Sequence, residues 1–222
     1  MSLAIVVPVK SPRRAKHRLE PVMSEAERFR LATTMAGDVF ATVAALDEYA
    51  RFVVSDDTAV LEQAAGFGLE TLVDRVNQGQ SAAVQQGFSL AWERGFTSAL
   101  TIPGDVPGVT PSELRALATY RPEIEVVLVT DRERVGTNGL RLVPPHAIAL
   151  RFGEDSFNLH RAEAARANRS FAVLELAGLQ CDIDQPADVA AFLALKRETA
   201  TLRLLQELEA ADRVMVPTPP VG

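Results

Sequence analysis

The chain is poorest in the residues that bind metals through sulfur and nitrogen: its 222 residues hold one cysteine, Cys181, and three histidines, His17, His146 and His160. One cysteine excludes an internal disulfide and a Cys-rich zinc site, and fits a reducing, cytoplasmic compartment. Aromatics are sparse, and no apolar run approaches the ~20 residues of a membrane span. The apolar start Leu3 to Val9 is too short for a signal peptide and lacks its basic flank. Excess positive charge is also missing. A formal charge of −6 argues against a surface that tracks a nucleic-acid backbone, so an anionic ligand must meet a local basic patch. The G-x-x-x-x-G-K-[ST] and G-x-G-x-x-G phosphate fingerprints are absent, which leaves phosphate to side chains more than to a nest of amides. No linker rich in Ser and Gly divides the chain, and its length suits one domain, placed at residues 1–212 with a flexible tail over 213–222.

What is present is an alternation of buried strands and amphipathic helices. Ala4 to Val9 is apolar and β-branched, the pattern of a central strand covered on both faces. Directly after it, Lys10-Ser-Pro-Arg-Arg-Ala-Lys-His-Arg18 places five Lys/Arg in nine residues. Such a run is ordinarily a solvated face, but its position past a strand's carboxyl end makes it a candidate polyphosphate loop. Ser24-Glu-Ala-Glu27 is a capping box before a long helix. Phe52-Val-Val54 and Glu70-Thr-Leu-Val73 read as strands, and Asp56 and Asp57 read as caps of the helix that begins at Thr58 in preference to metal ligands. At the next helix start, Gly79 lets backbone approach a ligand, and with Gln80 and Ser81 it forms a candidate nucleotide contact. Gly79-Gln-Ser-Ala-Ala83 resembles a G-x-S-x-G nucleophile elbow only faintly, because its last glycine is missing and no histidine stands in a triad context. The bland reading of Ser81 is an N-cap.

Thr101-Ile-Pro-Gly-Asp-Val-Pro107 ends a buried strand and carries Asp105 out of the sheet, where the loops of an open α/β sheet form a ligand crevice. Alone, that aspartate would be a turn residue. A second acidic cluster, Asp182-Ile-Asp184, alters the reading. Two positions apart in an extended segment, its carboxylates point the same way. At ~4 Å their repulsion is about 1 kcal/mol in water and about 4 at an effective dielectric of 20, unless a cation lies between them. Asp105, Asp182 and Asp184 with no Cys or His cluster suit magnesium, bound through carboxylates and substrate phosphates. The chemistry that follows is transfer at a nucleotide's α-phosphorus, with Lys10, Lys16 and Arg18 offsetting the repulsion of two anionic reactants and Lys16 stabilising the departing pyrophosphate. Between these sites, Glu125 to Thr130 is a strand, Asp131 to Gly139 a polar binding loop, and Ala172 to Leu176 a last long strand. Asp188 reads as an N-terminal helix charge.

These motifs, Val7-Pro-Val-Lys10 with Ala15-Lys-His-Arg-Leu19, Pro103-Gly-Asp-Val-Pro107, Gly136-Thr-Asn-Gly-Leu140, Phe152-Gly-Glu-Asp-Ser-Phe157 with His160, and Asp182-Ile-Asp-Gln-Pro186, together resemble the 2-phospho-L-lactate guanylyltransferase family of MobA-like nucleotidyltransferases. The resemblance spans about Val7 to Val189. It implies a three-layer α/β/α sandwich with a mostly parallel, Rossmann-like sheet of the nucleotide-diphospho-sugar transferase type. It implies magnesium-dependent transfer of GMP from GTP to phosphoenolpyruvate, 2-phospho-L-lactate or 3-phosphoglycerate in deazaflavin coenzyme biosynthesis, the product passing to a downstream transferase. Thr137, Gly153 and Ser156 match the positions that hold the acid's carboxylate; Asp105, Asp182 and Asp184 match the metal sites. The chain departs from the family at Gly79-Gln-Ser-Ala82, where Gly-Leu-Asn is usual, and at His17, where Ser is usual.

Two rivals remain at this stage: a related transferase for a molybdopterin or sugar-phosphate acceptor, and a nucleotide-binding domain without turnover. The tail from Leu193 to Ala211, with Leu202, Leu205 and Leu208 at helical spacing, could pack on its own domain or at a homodimer contact, to which the reading leans. Pro217 to Pro220 reads as disordered.

Overall fold

Leu3–Pro8, buried along its whole length, is the first strand (β1) and explains the layering of the chain. Its side chains alternate between two cores: Leu3, Ile5 and Val7 enter one, Ala4 and Val6 the other. A strand apolar on both faces must be covered on both, and helices supply the cover. The computed structural model describes residues 2–75 and 77–215. On the first face lie α1 (Glu25–Ala44), α2 (Thr58–Gly66) and α4 (Pro111–Thr119); on the second lie α3 (Gln80–Glu93) and α5 (Ser156–Arg166). This is the three-layer α/β/α sandwich expected from the sequence. Ser24 and Thr110 form the capping boxes that start α1 and α4, and Asp57 accepts from the amide of Ala59 to cap α2.

The other strands are β2 (Ala50–Ser55), β3 (Glu70–Val73), β4 (Ser98–Thr101), β5 (Val126–Thr130), β6 (Thr137–Leu142) and β7 (Phe171–Val173). They form one sheet in the order β3-β2-β1-β4-β6-β5-β7. All pairs are parallel except those of β6, which is antiparallel to both β4 and β5. The exception has a simple cause. Residues 131–136 between β5 and β6 are too few for a parallel crossover, which needs a dozen or more, so β6 must run back beside β5. The polar stretch read as a loop to Gly139 thus ends earlier, at Gly136, and Thr137 to Gly139 belong to a strand.

Three expectations need correction. The last strand is three residues long: beyond Val173 the alternating Leu174 and Leu176 pack on the first core as the chain leaves the sheet. The tail is three helices, α6 (Pro186–Ala194), α7 (Ala200–Glu207) and α8 (Ala210–Met215), with Thr199 capping α7 and the Asp38 carboxylate accepting from the amides of Ala200 and Thr201 at 2.9 and 2.7 Å. Leu202, Leu205 and Leu208 are buried in a third core with Leu31, Met35 and Phe192 of the same chain, so these three pack on their own domain. The domain boundary at 212 also falls inside α8, whose Arg213 pairs with Glu27 at 2.8 Å. Pro217 to Pro220 lie outside the described residues. Among those described, no helix is long and apolar enough to cross a membrane.

Candidate active site

The functional residues converge where β1, β4 and β6 meet their loops. Beyond β1 the chain turns through two short 3-10 helices, Pro12–Arg14 and His17–Leu19, with Lys16 between them in the left-handed region at φ 60°. A non-glycine residue held there stores local strain, tolerated when surrounding contacts fix it. The contacts are two carboxylates: Lys16 Nζ donates to Asp105 Oδ2 at 2.7 Å and to Asp184 Oδ1 at 2.6 Å. The Lys16 side chain is only 5% exposed, yet its pKa rises: burial disfavours the ammonium, and the charges of Asp105 and Asp184 outweigh burial. Residues 89 and 168 positions away in sequence are thereby drawn to one nitrogen. The backbone seals the same junction, for the amide of Ile183 donates to the carbonyl of Asp105 at 3.2 Å.

Asp182 completes the acidic group, and among the described residues no Lys or Arg pairs with it. Its Oδ1 accepts from Asn138 Nδ2 at 2.8 Å, while burial and the neighbouring charge of Asp105 push its carboxyl pKa well upward. Asp184 moves the other way: burial opposes ionisation, and Lys16 overcomes it. Lys16 takes the ground between Asp105 and Asp184, and among the described residues no three acidic side chains stand grouped to hold a single metal ion. What remains, an all-oxygen pair whose half-buried Asp182 carboxyl has no basic partner among the described residues, fits a hard divalent ion that takes one or two protein carboxylates and completes its shell with phosphates.

Two cavities share this junction. The first, of about 320 Å³, runs from Lys10 and Lys16 to Gly79 and Gln80; the second, of about 580 Å³, is lined by Arg18, Thr137, Gly153, Ser156 and Asp182. Gln80, Asp105 and Asp184 line both. Lys10 and Arg18 are exposed on opposite cavities and Lys16 is buried between them. Ser81 departs from the expectation of an N-cap. Gly79, at φ 93°, is the capping residue, and the Ser81 hydroxyl turns away to accept from the amide of Phe152 at 2.9 Å.

The wall of the second cavity depends on an irregularity in the sheet. Val129 pairs with Gly139 but Thr130 pairs with Thr137, which leaves Asn138 as an extra residue in β6. Regular pleating would send Thr137 and Asn138 to opposite faces; at this bulge both line the same cavity. Asp131 shapes the adjoining turn, accepting from the amides of Val135 and Gly136 at 2.9 and 2.7 Å. Opposite them, Gly153 sits at φ 127°, a conformation side chains rarely adopt, and leads into Ser156 at the start of α5. Asn138 and Asp131 had no role assigned from sequence. A glycine inside a strand, here Gly139, is the signal that could have marked the bulge and with it Asn138.

An acid-lined junction at the carboxyl ends of a largely parallel sheet is shared by two cavities, an arrangement in which two bound anions can meet. The crystal structure of a nucleotide-diphospho-sugar transferase candidate from Desulfovibrio desulfuricans G20 has the same fold: TM-score 0.75, covering 96% of this chain and 97% of that one, at 17% identity. A nucleotidyl transferase from Methanothermobacter matches with a TM-score of 0.61 over 87% of this chain and 98% of its own, at 19% identity.

Residues 3–214 match the family described as guanylyl transferase CofC like, and the chain belongs to that family. It is 35% identical over 191 residues, 86% of this chain and 93% of the relative, to phosphoenolpyruvate guanylyltransferase of Rubrobacter xylanophilus. It is 31% identical over 210 residues, 92% and 97% of the two chains, to 3-phospho-D-glycerate guanylyltransferase of Colwellia psychrerythraea.

Proposed function

We propose that this protein transfers GMP from GTP to the phosphate of a small phosphorylated carboxylic acid, phosphoenolpyruvate before 2-phospho-L-lactate or 3-phosphoglycerate, and releases pyrophosphate. One observation carries the reading: two cavities meet at Asp105, Asp184 and buried Lys16, as a reaction between two bound anions requires. The nucleotide takes the first cavity, its base end toward Gly79 and Gln80 and its phosphates toward Lys10 and Lys16. The acid takes the second, its carboxylate held by Thr137, Gly153 and Ser156 and its phosphate beside Arg18. An oxygen of the acid's phosphate attacks the α-phosphorus in line; the new P–O bond forms as the bond to pyrophosphate breaks. Lys16, already desolvated, stabilises the charge that moves onto the leaving group. Asp105 and Asp182 would hold magnesium, with Asp184 kept beside them by Lys16; the ion would supply charge neutralisation between the phosphates. The enzyme works in the cytoplasm, in deazaflavin coenzyme biosynthesis, and hands its product to a downstream transferase. The relatives named for phosphoenolpyruvate and 3-phospho-D-glycerate support an acid acceptor.

The test is pyrophosphate release from GTP, ATP, CTP and UTP, each against the three acids with magnesium. Turnover is expected first with GTP and phosphoenolpyruvate. Release with no acid at all, or with every nucleotide equally, would overturn the assignment.

A further inference from the structure

We propose that His160 is a positioning residue: it fixes the direction in which the Thr137 hydroxyl donates its proton, toward the carboxylate in the second cavity. This rests on the assignment of that cavity to the acid. His160 is fully buried on α5, its ring edge-on to Phe152 with centroids 4.8 Å apart. The amide of Arg151 donates to its Nε2 at 2.9 Å, so that nitrogen carries the lone pair. A neutral imidazole has one N–H, which therefore sits on Nδ1. Nδ1 lies 3.1 Å from Thr137 Oγ1. The N–H on Nδ1 is shared between the Ser156 backbone carbonyl and the Thr137 hydroxyl, so the hydroxyl accepts there and its own proton leaves in another direction. Thr137 is 5% exposed and lines the cavity, and a carboxylate entering it meets a donor already aimed.

The surroundings hold the ring neutral. The charged groups packed on it are Arg151 and Glu163, and Glu163 is paired with Arg151 at 3.0 Å and with Arg166 at 2.6 Å, which leaves it little claim on the imidazole. Burial then pushes the ring's pKa down to about 4, so that it stays uncharged at neutral pH. The opposite tautomer would set N–H against the Arg151 amide and lose that bond, and the Thr137 hydroxyl would then spend its own proton on Nδ1. The backbone beside it is braced in the same way, for the next amide, Phe152, is bound by Ser81. The loop that carries Gly153 is thus fixed from α5 on one side and α3 on the other.

Two experiments test this. In the unliganded protein, nitrogen NMR of labelled His160 should show a neutral ring protonated at Nδ1 at pH 7; a ring protonated at Nε2, or at both nitrogens, overturns the proposal without reference to any substrate. In steady-state kinetics with phosphoenolpyruvate, His160→Phe should raise the KM for the acid about 10-fold, the loss expected for one hydrogen bond to a charged group, and leave the KM for GTP within about two-fold. His160→Asn, whose amide nitrogen stands near the Nδ1 position, should recover most of the loss. On a Thr137→Val background, where no hydroxyl remains to aim, His160→Phe should add less than about two-fold. An equal added rise on that background, or a parallel rise in the KM for GTP, would show a merely structural histidine. If the wild type turns over no acid while the Nδ1 tautomer is seen, the acid assignment falls and the hydrogen-bond geometry stands.

Discussion

On the proposed assignment the two cavities would hold their anions by different means. On the side of β1 the grip is formal charge: Lys10 and Lys16 come from one short loop, and Lys16 is desolvated and locked between two carboxylates. On the side of β6 the wall carries Thr137, Ser156 and the glycine loop, neutral groups whose value lies in where their donors point, with Arg18 at its exposed edge. A polyphosphate, with several charges and many acceptor oxygens, tolerates a grip by point charges. A single carboxylate on a small acid does not offer that redundancy, so its recognition needs a few donors fixed by their own partners. The parallel half of the sheet supplies the first kind of site through its loops, and the antiparallel insertion supplies the second through a bulge.

Substitutions should separate the two halves, beginning with the junction they share. Asp105→Ala or Lys16→Ala should lower turnover by ~100-fold or more whichever acid is used, because both act where charge develops; a nucleotide-binding domain without turnover would lose affinity only. The next effect is on stability in acid. His160 has a folded-state pKa of about 4 against an ordinary 6.5, so between those values the unfolded chain binds a proton that the folded ring refuses. Stability is full above about pH 6.5 and falls as pH drops to about 4, by up to ~3 kcal/mol; a denaturant series across that range should be flatter for His160→Phe. Gly153→Ala should then raise the KM for the acid several-fold, roughly 1 kcal/mol of binding, and spare the KM for GTP, since φ 127° strains any side chain although the space is open. The smallest effect has the opposite sign. Asp182 ionises against burial and against Asp105, a cost that grows as pH rises, so Asp182→Asn should stabilise the metal-free protein at pH 8 by about 1 kcal/mol in thermal unfolding while removing turnover.

The β1 side was legible in the sequence because formal charge and chain punctuation are local properties. Five basic residues after a β-branched strand and an aspartate between prolines announce themselves without coordinates. The helices followed from their spacing and from capping residues such as Ser24 and Thr110, and the sandwich from the family resemblance. What escaped was decided by pairing. That Lys16 would stand inside the acidic cluster depends on a left-handed turn that no residue type announces. Ser81 looked like an N-cap from its place at a helix start, and only the approach of Phe152 from 71 residues away turns its hydroxyl elsewhere. Asn138 reaches Asp182 through one extra residue in β6, and the leucines of α7 meet α1 because Asp38 caps that helix. Register, tautomer and helix docking are properties of contacts, and a single sequence carries them only indirectly.

The account turns on anions from both cavities meeting at the carboxylates. Pyrophosphate release from GTP with phosphoenolpyruvate, followed with magnesium and with excess chelator for the wild type beside Asp105→Asn, tests it most directly. The expected result is turnover that needs the metal and falls by at least ~100-fold in the variant. Equal rates with and without the metal, or an Asp105→Asn protein as active as the wild type, would contradict it.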